Sequence, residues 1–226
     1  MSSRYPTDLL CPDPDSIYIK REICRSQASS VFEIELHGIR YAMKLFHDNG
    51  DPGFTKKGRD LNRFPCELNA YRNLHAFGVC ERGFVPRYYG YIDRFGEIRA
   101  PQLNAFANDK YRPRAILLEY LSGAEELNCV NYSPDRFHKA MLGMKEIHSA
   151  LIHHHDIYPK NILIVPGTPE RVVWIDFDVA TTFPHRELMG CQELEYCDYE
   201  DELVASFGKL LVNDQNQGLP PNTKYY

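Results

Sequence analysis

The sequence predicts an α+β protein, with antiparallel strands in its first half and helices in its second. Three observations lead there. Residues 17–46 alternate apolar and polar side chains with a period of two, and a turn signal interrupts them. Residues 133–151 carry one apolar stripe at helical spacing. The 226 residues, 43% hydrophobic and 25% charged, suffice for one sizeable core or two small lobes.

Residues 1–16 contain three prolines and read as a loosely packed lead-in. "IYIKREI" (17–23) is the first strand. "VFEIEL" (31–36) sets Phe32, Ile34 and Leu36 on one face and Glu33 and Glu35 on the other. His37-Gly38 then turns the chain into a return strand, "IRYAMKLF" (39–46). Residues 47–64 are glycine-rich and charged and read as a long loop. A helix begins near Pro65, with Glu67, Ala70, Tyr71 and Leu74 at helical spacing and Gly78 as its stop. "RYYGYI" (87–92) and "AILLEYL" (115–121) are strands, and the polar stretch between them reads as irregular.

The change of character falls near Leu121, giving units 17–121 and 122–226. Ser133 is an N-cap and Pro134 the first helical residue. Phe137, Met141, Met144, Ile147 and Leu151 form the stripe that follows. "ILIV" (162–165) and "VVWI" (172–175) are short strands joined by the turn "PGTPE". A last helix spans roughly 195–212, ahead of an irregular tail.

A formal net charge of −5 argues against nucleic acid or an acidic membrane as the main partner. No apolar run approaches the roughly 20 residues that span a bilayer, and the N-terminus lacks an apolar signal core. Seven cysteines, an odd number with no C-x-x-C pair, fit a reduced, intracellular and cytoplasmic chain. Cys191 and Cys197 do not have the spacing of a common zinc knuckle.

The chemistry concentrates in "HHHDIYPKN" (153–161). Three histidines beside an aspartate suggest a metal site, but the spacing from Asp156 to Asn161 and the downstream "VVWIDFD" point elsewhere. The combination resembles the protein-kinase-like superfamily, whose catalytic loop reads H-x-D-x-x-x-x-N and whose metal loop reads D-F-G. His154, Asp156 and Asn161 match the first motif, and Asp176-Phe177 the second. "YAMKLF" and "DIYPKNILI" are similar to phrases in short kinase-like proteins of fungi.

The resemblance implies a bilobal fold with a β-rich N-lobe and a shortened helical C-lobe, and a phosphotransferase that uses ATP and Mg²⁺. Asp156 would accept the hydroxyl proton of an acceptor. Asn161 and Asp176 would hold Mg²⁺ through hard oxygen donors. Lys44, in a strand resembling V-A-I-K, would contact the α- and β-phosphates, and Glu67 would fix its rotamer. Leu118 would be the gatekeeper, with backbone groups of Glu119 to Leu121 meeting an adenine.

The sequence departs from that pattern at four points. The positions of the phosphate-covering glycines hold Cys24, Ser26 and Ser29, whose side chains hinder backbone approach; the two serines would donate hydrogen bonds instead. Asp178 replaces the glycine of the metal loop and is a further candidate Mg²⁺ ligand. Tyr158 stands where protein kinases place a lysine, and Lys160 is the candidate substitute for it. No A-P-E segment follows Asp176, which weighs against a protein acceptor. An active phosphotransferase with an unspecified hydroxyl acceptor is the first expectation. A pseudokinase that serves as a binding scaffold is the second.

Overall fold

A computed structural model describes residues 13, 16–56, 58–95 and 101–221. The lead-in and the final "KYY" lie almost wholly outside these residues. Three strands open the fold: β1 (Tyr18–Arg25), β2 (Ser29–Leu36) and β3 (Ile39–Phe46). The β2–β3 link is a two-residue turn, with Leu36 opposite Ile39. His37 and Gly38 both have positive φ, 51° and 79°. That geometry suits the right-handed twist of a tight hairpin, and glycine adopts it without strain.

Helix α1 (Arg63–Ala76), β4 (Tyr88–Ile92) and β5 (Arg114–Glu119) complete the first half. The five strands form one antiparallel sheet in the order β1-β2-β3-β5-β4. The period of two sorts its side chains between two cores. Phe32, Ile34, Met43, Leu45 and Leu117 face one way, where Leu103 and Phe106 cover them. These two covering residues belong to a 3₁₀ turn (Pro101–Phe106) inside the stretch expected to be irregular. Phe46, Ile116 and Leu118 face the other way, against Phe64, Leu68 and Tyr71 of α1.

The second half starts with β6 (Glu125–Glu126) and α2 (Pro134–Ser149). Ser133 caps α2 as its sequence implies: its hydroxyl accepts from Arg136 N at 3.2 Å. The strands β7 (Ile152–His153), β8 (Ile162–Val165), β9 (Arg171–Trp174) and β10 (Thr181–Thr182) build two small sheets, β6-β8-β9 and β7-β10. The pair β7-β10 and strand β6 are too short to leave a periodic signal.

Helix α3 (Cys191–Asn216) is longer at both ends than the expected 195–212. It crosses α2 at Gly208. A Cβ there would stand 2.3 Å from Cε1 of Phe137, so only glycine allows this approach. The fully buried Trp174 anchors α2 to β9, its indole N–H donating to the Ala140 carbonyl at 2.8 Å. One apolar cluster runs continuously from the inner face of the sheet through α1 to α2, β9 and α3. Among the described residues, no helix is long and apolar enough to cross a membrane.

Candidate functional site

The strand alternation that buries Met43 and Leu45 on the outer face turns Lys44 inward, towards α1. Its ammonium lies 2.5 Å from Glu67 Oε2 and 2.6 Å from Asp176 Oδ1. Three separate elements therefore meet at one nitrogen: the middle of β3, the second turn of α1, and the segment after β9. Lys44 and Glu67 are buried, whereas the Asp176 side chain is 34% exposed and forms the open side of the cluster. Asp178 turns to Arg63 at the start of α1, with Nη1 3.0 Å from Oδ1.

Burial works against the charge on Lys44, but the carboxylates of Glu67, Asp176 and Asp178 outweigh it and hold the ammonium above its ordinary value. Burial also opposes ionisation of Asp176, and Lys44 overcomes this, leaving the carboxyl below its usual range. Glu67 has no such surplus of help: burial pushes it up to about 8 despite Lys44. Asp178 is likewise raised, by burial and by Asp176 beside it. Three carboxylates thus share two cationic side chains, and an additional cation would relieve the cluster.

The segment 153–161 lies against this cluster. His154 is fully buried and donates from Nε2 to the Ile175 carbonyl at 3.1 Å; its Nδ1 accepts from Asp156 N at 3.4 Å. Burial holds its pKa down, in keeping with that neutral tautomer. Asn161 donates from Nδ2 to the Asp156 carbonyl at 2.7 Å, and its own carbonyl accepts from Ile175 N at 3.0 Å. The loop is therefore stitched to the residue preceding Asp176, and among the described residues the amide oxygen of Asn161 meets no hydrogen-bond donor. Lys160 is exposed and sits 3.4 Å from Asp156 Oδ2.

Three non-glycine residues here hold a left-handed backbone: Leu151 (φ 64°), His155 (φ 65°) and Asp176 (φ 67°). Such conformations cost about 1–3 kcal/mol each and persist where the surroundings fix them. For His155 the fixing partner is Glu200 of α3. This carboxylate, 1% exposed, accepts from His155 N at 2.7 Å, His154 N at 3.1 Å and His148 Nε2 at 2.9 Å. Burial opposes its charge, yet these donors keep its pKa lowered.

Sequence reading missed Glu200 and Arg63. The signal for Glu200 was present: Cys197, Glu200, Val204, Gly208 and Leu211 form the buried stripe of α3, and Glu200 is its one carboxylate. Arg63 falls at the end of what read as a loop, because α1 starts two residues before Pro65.

The three consecutive histidines do not converge. His153 donates to the Glu193 carbonyl at 2.9 Å, His154 faces Ile175, and His155 lies 2.9 Å from both Tyr196 Oη and Thr181 Oγ1. Burial lowers the pKa of all three, and that of His155 to about 4. A neutral imidazole in the folded state favours folding above the unfolded value near 6.5, and this contribution is lost as pH falls towards 4. Stability measured by urea unfolding should therefore drop by roughly 1–3 kcal/mol over this interval on account of His155. His155→Gln should show a shallower decline; an unchanged slope would exclude His155 as its source.

The remaining expected residues are more scattered. Ser26 and Ser29 shape the β1–β2 turn. The Ser26 hydroxyl accepts from Ala28 N and Ser29 N, both at 3.1 Å, and Ser29 is buried. The Glu119 carboxylate is bound to Arg171 at 2.6 Å, and its backbone N–H donates to the Arg87 carbonyl at 2.9 Å. The Leu121 carbonyl accepts from Ala124 N at 3.4 Å. Among the described residues, no group of three or more His, Cys, Asp or Glu side chains is already arranged as a metal cage. Asn161 Oδ1 and the carboxylates of Asp176 and Asp178 are nevertheless hard donors suited to a small divalent cation. No protein-family model matches the chain, and no curated protein matches it in sequence.

Proposed function

We propose that this chain is a bilobal, protein-kinase-like phosphotransferase that moves the γ-phosphoryl group of ATP to a hydroxyl acceptor with Mg²⁺. The observation that carries this reading is the Lys44 ammonium, held between Glu67 and Asp176 beside the Asp156–Asn161 loop. Phosphoryl transfer asks a protein mainly to position its reactants and neutralise charge. Lys44, locked in one rotamer by Glu67, supplies a fixed cation for phosphate oxygens. Asp176, Asn161 and, once released from Arg63, Asp178 would hold the metal, which when bound neutralises phosphate charge. Asp156, 24% exposed at its side chain, orients the acceptor hydroxyl and takes its proton. Lys160, 3.4 Å from Asp156, adds positive charge at the mouth of the site.

A second reading, a pseudokinase scaffold, draws support from the β1–β2 turn. The Ser26 hydroxyl is engaged by its own backbone, which leaves it poorly placed to replace a glycine-rich phosphate cradle. Thermal unfolding separates nucleotide binding from its absence. A ligand of the native state stabilises it by RT ln(1 + [L]/Kd), so millimolar ATP registers even weak affinity. The melting temperature should rise with ATP only when Mg²⁺ is present, and Asp176→Ala should abolish the rise. No rise in the wild type would remove the nucleotide from this site and favour the scaffold.

A further inference from the structure

A cavity of about 760 Å³ opens between Thr55, Lys56, Gly58 and Arg59 on one side and the β7–β10 pair and the start of α3 on the other. Its lining shares no residue with the Lys44–Asp176 cluster. We propose that this cavity is a second site, which binds a small organic phosphate monoester with its phosphate held by Arg59 and Lys56.

Charge is the first argument. Lys56 and Arg59 both line the cavity, and Glu193 is the one carboxylate among its described lining residues. The chain as a whole carries −5, so this is a locally basic recess in an acidic protein. Arginines elsewhere, such as Arg21, Arg25, Arg136 and Arg171, each meet a carboxylate. Neither Lys56 nor Arg59 forms an ion pair among the described residues. Two cations left without counter-ions at the rim of a recess are suited to a multiply charged ligand.

The backbone provides the second argument. α3 begins at this cavity, with Gln192 and Glu193 of its first turn in the lining. Its N-cap, Gly190, contributes no side-chain acceptor to the first amides of the helix. Glu193 Oε2 lies back over Gly190, within 3.2 Å of where a Cβ would stand, and partly fills the anion's place. Phosphate alone would occupy a small part of the volume. The hydroxyl of Thr55 and the ring of Phe183 offer the rest to an organic body. Both ring nitrogens of His155 are engaged, so it serves as a wall that fixes Tyr196 and Thr181.

A filled cavity would tie Lys56 and Arg59 to His155, the neighbour of Asp156. That regulatory consequence rests on the phosphotransferase reading; the binding itself does not.

The test is an NMR amide titration of the full chain with glycerol 3-phosphate, inorganic phosphate and glycerol, with ionic strength balanced by sodium chloride. Glycerol 3-phosphate should give saturable shifts at Arg59, Thr181 and Gln192, and bind more tightly than inorganic phosphate. Arg59→Ala should weaken binding at least tenfold, Arg59→Lys less, and Glu193→Gln should strengthen it severalfold. Asp176→Ala should leave it unchanged, so loss of the nucleotide site and loss of this one are distinguishable. Shifts no larger than those from chloride, or equal affinity in Arg59→Ala, would overturn the proposal. Equal affinity for inorganic phosphate would overturn the monoester assignment.

Discussion

Asp156→Asn is expected to lower the rate of phosphoryl transfer by about 10²–10⁴-fold, the usual contribution of a general base. The substitution keeps the size of the side chain and removes its ability to take a proton. The backbone bonds that hold position 156, from its amide to His154 and from its carbonyl to Asn161, do not involve the carboxylate. The Mg²⁺-dependent thermal shift with ATP should therefore persist. Loss of rate with retained binding would assign Asp156 to the chemical step. A variant that transfers phosphate as fast as the wild type would take the proton-accepting role away from it.

Glu200→Ala is expected to cost on the order of 2–5 kcal/mol of folding stability, at about 1–3 kcal/mol for each buried donor left without an acceptor. The buried carboxylate serves three donors together: His154 N, His155 N and His148 Nε2. Its removal leaves two backbone amides without their acceptor in a closed interior. The left-handed turn at His155 also loses the group that fixes it. Urea unfolding measures the first effect. Wild-type stability in Glu200→Ala would show that His148 and the loop find other partners.

The first half was legible because alternation and turn chemistry are local. Phe32, Ile34 and Leu36 sort to one face, His37-Gly38 closes the hairpin, and the register then sets Lys44 on the side where α1 must lie. The Lys44–Glu67 pairing was expected from the resemblance of the strand to V-A-I-K, and that face together with the helical phase of α1 produces the contact. The cover over the outer face was not legible, since Leu103 and Phe106 are isolated apolar residues in a polar segment. Local rules carry no information about such a long-range cover. Arg63 was hidden by a helix start two residues earlier than proline suggested. Glu200 lay in an acidic run, "EYCDYEDEL", whose charges look alike until the apolar stripe of α3 is traced.

The close crossing at Gly208 has a bearing on Asp156, which it never touches. A helix rises about 1.5 Å per residue, so Glu200 stands about 12 Å along α3 from the crossing. The missing side chain at Gly208 works as a survey mark from which the height of Glu200 is measured. Where α3 slides by one turn, the carboxylate arrives about 5.4 Å from the amides it must meet. The position of the loop that carries Asp156 is thereby calibrated by a hydrogen atom about two turns further along the same helix.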